Sequence, residues 1–106
     1  MRFRFQEAQF LKSLVELLKR LLLHKEQVAL MRLINARMAL LLPWVAGQKA
    51  DSRASALARK CSDLFLAGAR GEGEVAVARL FESLLAVYEL ERLHAEDGAA
   101  SRAVEP

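Results

Sequence analysis

Two histidines, one cysteine and a glycine-rich turn are the features of this 106-residue chain that could carry chemistry. His24, beside Lys25 and Glu26, has the residue type to accept a phosphoryl group or a proton. It and His94 both fall at expected helix ends, where a solvated histidine is the plainer reading. Neither has a second histidine three or four residues away, and no His-Glu-x-x-His or Cys-x-x-Cys spacing occurs, so no metal site is expected. Cys61 is the single cysteine; it stands at helical spacing from Leu57, Leu64 and Phe65 and reads as a small core residue. The run Gly68-Ala-Arg-Gly-Glu-Gly lacks the Gly-Lys-Ser/Thr ending and the preceding strand of a phosphate loop, and reads as a connection. The chain is therefore expected to have no catalytic residues, to hold no cofactor and not to be an enzyme.

Such residues need elements to position them, and the composition specifies helices. Hydrophobic residues make up 54% of the chain and charged residues 27%, with only 5 Gly and 2 Pro. From Gln6 to Leu42 neither Gly nor Pro occurs, and Phe10, Leu14, Leu17, Leu18, Leu21 and Leu22 form one stripe opposite Lys12, Glu16, Lys19 and Arg20. The polar run His24-Lys25-Glu26-Gln27 interrupts that stripe before Val28, Met31, Ile34, Met38, Leu41 and Leu42. Two helices are expected, over 6–23 and 26–42, because one helix of this length would reach ~55 Å, beyond a compact domain of this size. Pro43 should end the second. A third helix should start at Asp51 or Ser52 and stop near Gly68, burying Leu57, Cys61, Leu64 and Phe65. A fourth, opened by Glu72 and Glu74, should bury Val77, Leu80, Phe81, Leu84 and Tyr88 and fray after His94. The expected architecture is all-α, a four-helix up-down antiparallel bundle over residues 1–96, with a disordered tail over 97–106.

Charge is divided unevenly along the chain. Residues 1–70 hold thirteen Lys/Arg against five Asp/Glu, and residues 71–106 hold three against eight, so the acidic last helix should attract the basic earlier ones. Arg2, Arg4, Lys12, Lys19, Arg20, Lys25, Arg32 and Arg37 are spread around the helices without interleaved exposed aromatics, so nucleic-acid binding is not expected. The longest charge-free apolar run, Met38 to Gly47, is far shorter than a bilayer requires, and Gln6 and Glu7 fall where a signal peptide needs apolar residues. A cytoplasmic protein that does not enter the membrane is the expectation. The segment Met38-Ala-Leu-Leu-Leu-Pro-Trp-Val-Ala is anomalous, because three consecutive leucines span about 200° of a helix and cannot all face one core. Either the following loop covers them, with Trp44 as a lid, or Leu40, Leu41 and Trp44 form a patch that joins a partner.

The stretches Ala56-Leu-Ala-Arg-Lys-Cys-Ser-Asp-Leu, Ala67-Gly-Ala-Arg-Gly-Glu and Ala78-Arg-Leu-Phe-Glu-Ser-Leu-Leu-Ala-Val-Tyr-Glu are similar to the later helices of a histidine-containing phosphotransfer domain. This resemblance covers roughly residues 9–93. It implies a four-helix bundle that meets receiver domains of two-component signalling systems. With the family's second glycine aligned on Gly47, Arg37 stands at the phospho-accepting His, Leu40 at the Lys and Leu41 at the following Gly, so the resemblance implies a bundle without the reaction. The functional expectation is a non-catalytic helical adaptor that binds a receiver domain or kinase through Arg37, Leu40, Leu41 and Trp44. The alternative is a homodimeric structural or chaperone-like assembly protein whose partner is a second copy of itself.

Overall fold

The computed structural model describes the backbone over residues 2–104 and side chains over residues 6–100. It contains three helices among the described residues: α1, Arg2–Ala46; α2, Arg53–Arg70; and α3, Gly73–Val104. The chain is all-α, as its composition predicts, but the four-helix bundle becomes three helices, because the expected helices over 6–23 and 26–42 are one. The run His24-Lys25-Glu26-Gln27 contains no residue that breaks a helix, and polarity alone does not make a turn. Gln27 has another role: its Nε2 donates to the carbonyls of Gly68 and Gly71, each at 2.9 Å. The polar interruption thus marks where α1 meets the α2–α3 connection.

Two further boundaries differ from expectation. Pro43 lies inside α1, which continues to Ala46. So near a helix end proline removes one ladder bond, and Ala39, whose carbonyl loses its donor, is exposed to water. Gly47 and Gln48 then close the helix by donating to the carbonyls of Trp44 and Val45. At the other end of the chain, α3 does not fray after His94, and the expected disordered tail is helical as far as Val104. Ala95, Ala99, Ala100 and Glu96 are helix formers, and the single Gly98 costs only about 1 kcal/mol relative to alanine.

The caps of α2 are well defined. Ser52, not Asp51, is its N-cap, with an extended backbone and Oγ accepting from the Ser55 amide at 3.2 Å. Gly68 does not terminate α2; the helix runs two residues further and ends where the Gly71 amide donates to the Ala67 carbonyl. The connection to α3 is two residues long and is turned by Gly73, whose φ of +73° lies in the left-handed region that glycine adopts without strain.

α2 and α3 form the tightest pair, and the second half of α1 lies across them. Leu30, Ile34 and Leu41 of α1 meet Cys61 of α2 and Val77, Leu80, Leu84, Val87 and Leu90 of α3. Val77, Leu80 and Leu84 face inward as their spacing predicts, but Phe81 and Tyr88 are exposed, and Val87 and Leu90 take the inner positions instead. Ser83, the buried polar residue of this core, donates to the Cys61 carbonyl at 2.9 Å and sits 3.3 Å from its Sγ.

The first half of α1 runs on past this body. The principal extents are 82 × 24 × 15 Å and the Cα radius of gyration is 20.6 Å, against about 13 Å for a compact domain of this length.

Candidate protein-docking surface

The residues with chemical potential are dispersed. His24 lines an open cleft of ≈ 510 Å³ together with Arg20, Gln27, Glu72 and Gly73, at the point where α1 leaves the body. The Gln27 amide nitrogen there is already committed to two carbonyls. Cys61 is buried, and burial pushes its thiol pKa up, which keeps it in the unreactive protonated form. His94 is exposed and its ring lies 5.0 Å from that of Trp44. Among the described residues no group of three His, Cys, Asp or Glu is placed to hold a metal ion.

The four residues expected to bind a partner do not form one surface. Arg37 donates through Nε and Nη2 to Glu91 Oε1 at 3.2 and 3.0 Å, and its guanidinium lies 4.9 Å from the centre of the Tyr88 ring. The bond to Glu91 raises the pKa of this guanidinium further. Trp44 donates from Nε1 to Asp97 Oδ2 at 2.8 Å. Leu41 is a core residue at 3% exposure, whereas Leu40 is 80% exposed and Leu42 53%. The three leucines do point in different directions, as their positions on one helix require, and the core takes the middle one. Arg37, Leu41 and Trp44 therefore tie α1 to α3. The acidic last helix does pair with the basic earlier ones, through Arg37–Glu91 and also Arg53–Glu89 at 2.9 Å. Arg92 and Arg53 together hold the Glu89 carboxyl below its usual range.

The large unburied apolar face is elsewhere. Phe10, Leu11, Leu14, Val15, Leu17, Leu18, Leu21 and Leu22 are all between 39% and 66% exposed. At 3.6 residues per turn they occupy one arc of about 160°, while Lys12, Ser13, Glu16, Lys19 and Arg20 occupy the rest. The periodicity of these leucines predicts an amphipathic helix and the structure contains one, but the face does not enter this chain's own core. Projected along α1, its centre lies roughly 180° from the side on which Leu30, Ile34 and Leu41 are buried. The side of 6–22 in line with the core carries Gln9, Lys12, Glu16 and Arg20, so the body's packing surface stops at about Leu23. Leu33 and Leu40 continue one flank of the outer face along the body, and both are exposed. A smaller exposed strip on α3, Phe81, Leu85 and Tyr88, has part of its aromatic surface under Arg37.

By length and composition α1 also meets the requirement for a membrane span, with a mean hydropathy of 1.4 over its most apolar 18-residue stretch. That differs from the expectation drawn from the charge-free run alone, since the helix is continuous where two were expected. The charge-poor part of α1 is 28–45, which contains Arg32 and Arg37 and supplies Leu30, Ile34 and Leu41 to the core. The exposed half is interrupted by five charges between Glu7 and Arg20. Only 17% of the apolar stretch is buried within the chain.

The signal that would have located the face was present in the sequence. The stripe of 6–23 and the stripe of 28–42 fall on opposite sides of α1 once the helix is continuous, so the two cannot both face the same core. Comparison of the chain with protein-family models, with curated proteins and with solved structures finds no match. What fold and surface define is an all-α protein with a three-helix body and a projecting amphipathic helix.

Proposed function

We propose that this chain is a non-catalytic helical interaction module, and that residues 10–22 of α1 are its docking element. The observation that carries this reading is the exposure of eight consecutive members of one apolar arc on a helix that leaves the body. Folded monomers seldom expose a contiguous apolar surface of this size, and such a surface on one helix face suits a partner helix. The adaptor class expected from the sequence is retained, with its contact moved. A receiver domain or kinase docking through Arg37, Leu40, Leu41 and Trp44 would need groups that are committed to Glu91, to the core and to Asp97. Receiver domains and kinases remain within the class of partner, now met through α1.

A photo-activated cross-linking side chain at Leu14, compared with one at Leu40 and one at Lys60, tests this in cells that make the protein. Capture of protein at position 14, and not at 60, is the expected result. Capture only at position 40 would return the docking surface to the end of α1, and silence at all three would remove the interaction reading.

A further inference from the structure

We infer that the occupant of this face is the same face of a second copy, paired antiparallel about a two-fold axis at Glu16. The inference rests on the docking reading above and adds the partner, the orientation and the register.

Its basis is the symmetry of the exposed residues. The apolar positions between 10 and 22 read the same in both directions about position 16: Phe10 mirrors Leu22, Leu11 mirrors Leu21, Leu14 mirrors Leu18 and Val15 mirrors Leu17. A two-fold interface has the property that if residue i of one copy meets residue j of the other, j also meets i. Placing α1 against itself antiparallel with that centre puts an apolar side chain opposite an apolar side chain in every layer. The mirrored members of each pair also fall on opposite flanks of the arc, as the alternating layers of an antiparallel helix pair require. Glu16, at the centre, lies on the far side of α1 from the arc, so the axis brings no carboxylates together.

The charges at the two ends of the arc decide the orientation. Glu7 and Lys25 are about five whole turns apart, so both lie on the midline of the apolar face, one beyond each end of it. Both are exposed, and their positions mirror each other about Glu16. In the antiparallel pair each Glu7 faces Lys25 of the partner subunit, giving two opposite-charge contacts. A parallel pair would set Glu7 against Glu7 and Lys25 against Lys25. Lys12, Lys19 and Arg20 stay on the outer, wetted side in either case.

The size of the face is also sufficient. Eight side chains with about half their surface exposed amount to roughly 800 Å² per chain, the contribution of one partner to an interface of standard size. The arrangement puts the two bodies at opposite ends of the paired helices.

Sedimentation equilibrium of the full chain, with four variants, tests the inference. The expected wild type is a dimer. Leu18→Glu, which buries charge in two symmetric layers, should give a monomer that is still helical and unfolds cooperatively, since Leu18 lies outside the body's core. Glu7→Lys and Lys25→Glu should each weaken the dimer about tenfold, because each turns two attractive contacts into two repulsive ones. The double variant Glu7→Lys/Lys25→Glu should recover to within about threefold of wild type, because the swap restores both contacts. A dimer insensitive to both reversals would overturn the antiparallel register. A wild-type monomer at every concentration would overturn self-pairing, and so would a monomer that binds vesicles of anionic phosphatidylglycerol through this face. In either monomer case, capture of a different protein at position 14 leaves the docking reading standing, so the two ideas fail separately.

Discussion

At Gly68 the backbone of α2 approaches α3 so closely that an added Cβ would sit 2.5 Å from Leu80 Cγ and 3.0 Å from the Ala76 carbonyl oxygen. Leu80 is fully buried and has nowhere to move. Gly68→Ala gains about 1 kcal/mol of helix propensity, but overpacking of a filled core costs about 1–3 kcal/mol. The expected outcome is a net loss of stability in urea denaturation. Cys61, buried two turns earlier on α2 against Ser83, has a thiol pKa raised by that burial and should stay unreactive toward a disulfide reagent until the chain unfolds. Glu89 responds to acid instead. Its carboxyl is held low, first by Arg92 and then by Arg53, so its contribution to stability is full above the ordinary glutamate range and is lost as the pH falls through the lowered folded value. Stability measured in urea should therefore decline on acidification below about pH 4, and Arg53→Ala should make that decline shallower.

At the scale of the helix, α1 has two sides with different duties along its length, and adjacent leucines separate them. Leu41→Glu would place a carboxylate in the core, where loss of packing and a buried charge together cost about 3 kcal/mol or more. The neighbouring Leu40→Glu changes a solvated position and should move stability by no more than about 0.5 kcal/mol. Thermal unfolding followed by circular dichroism separates the two outcomes. Equal tolerance at 40 and 41 would mean that the rotational setting of α1 on α2 and α3 is different from the one described. Among the described residues the apolar face of the amphipathic half packs against nothing in the chain, and an isolated helix of that length is marginal in water. Its amides should exchange hydrogen faster than those of Leu30 or Ile34 in Leu18→Glu, and a docked partner should slow them.

For the molecule as a whole, the projecting helix sets the shape. Small-angle scattering of Leu18→Glu should give a radius of gyration near the 20.6 Å of the extended form. A value near 13 Å would mean that 6–23 folds back to complete a four-helix bundle. The charge asymmetry operates at this scale too. Basic α1 and α2 meet the acidic half of α3 inside one body, through Arg37–Glu91 and Arg53–Glu89, so much of the asymmetry is satisfied internally. The apolar surface is not satisfied internally. On the reading proposed above, that exposed face is what a partner covers.

The all-α class, the start of α2 at Ser52 and the inward set Val77, Leu80 and Leu84 follow from local preferences, because period, cap chemistry and composition act within a few residues. The amphipathic character of 6–23 was equally legible. Two things were not. One is where α1 meets the rest of the chain: Gln27 donates to the carbonyls of Gly68 and Gly71, more than forty residues away, and nothing local in His24 to Gln27 announces that contact. Which leucines are buried depends on the rotation of α1 against α2 and α3, and that rotation places Leu41 inside, Leu40 outside and the whole face of Phe10 to Leu22 on the far side. Periodicity specifies that a helix has an apolar side; only the packing of the other helices decides whether that side becomes core or a surface for a partner.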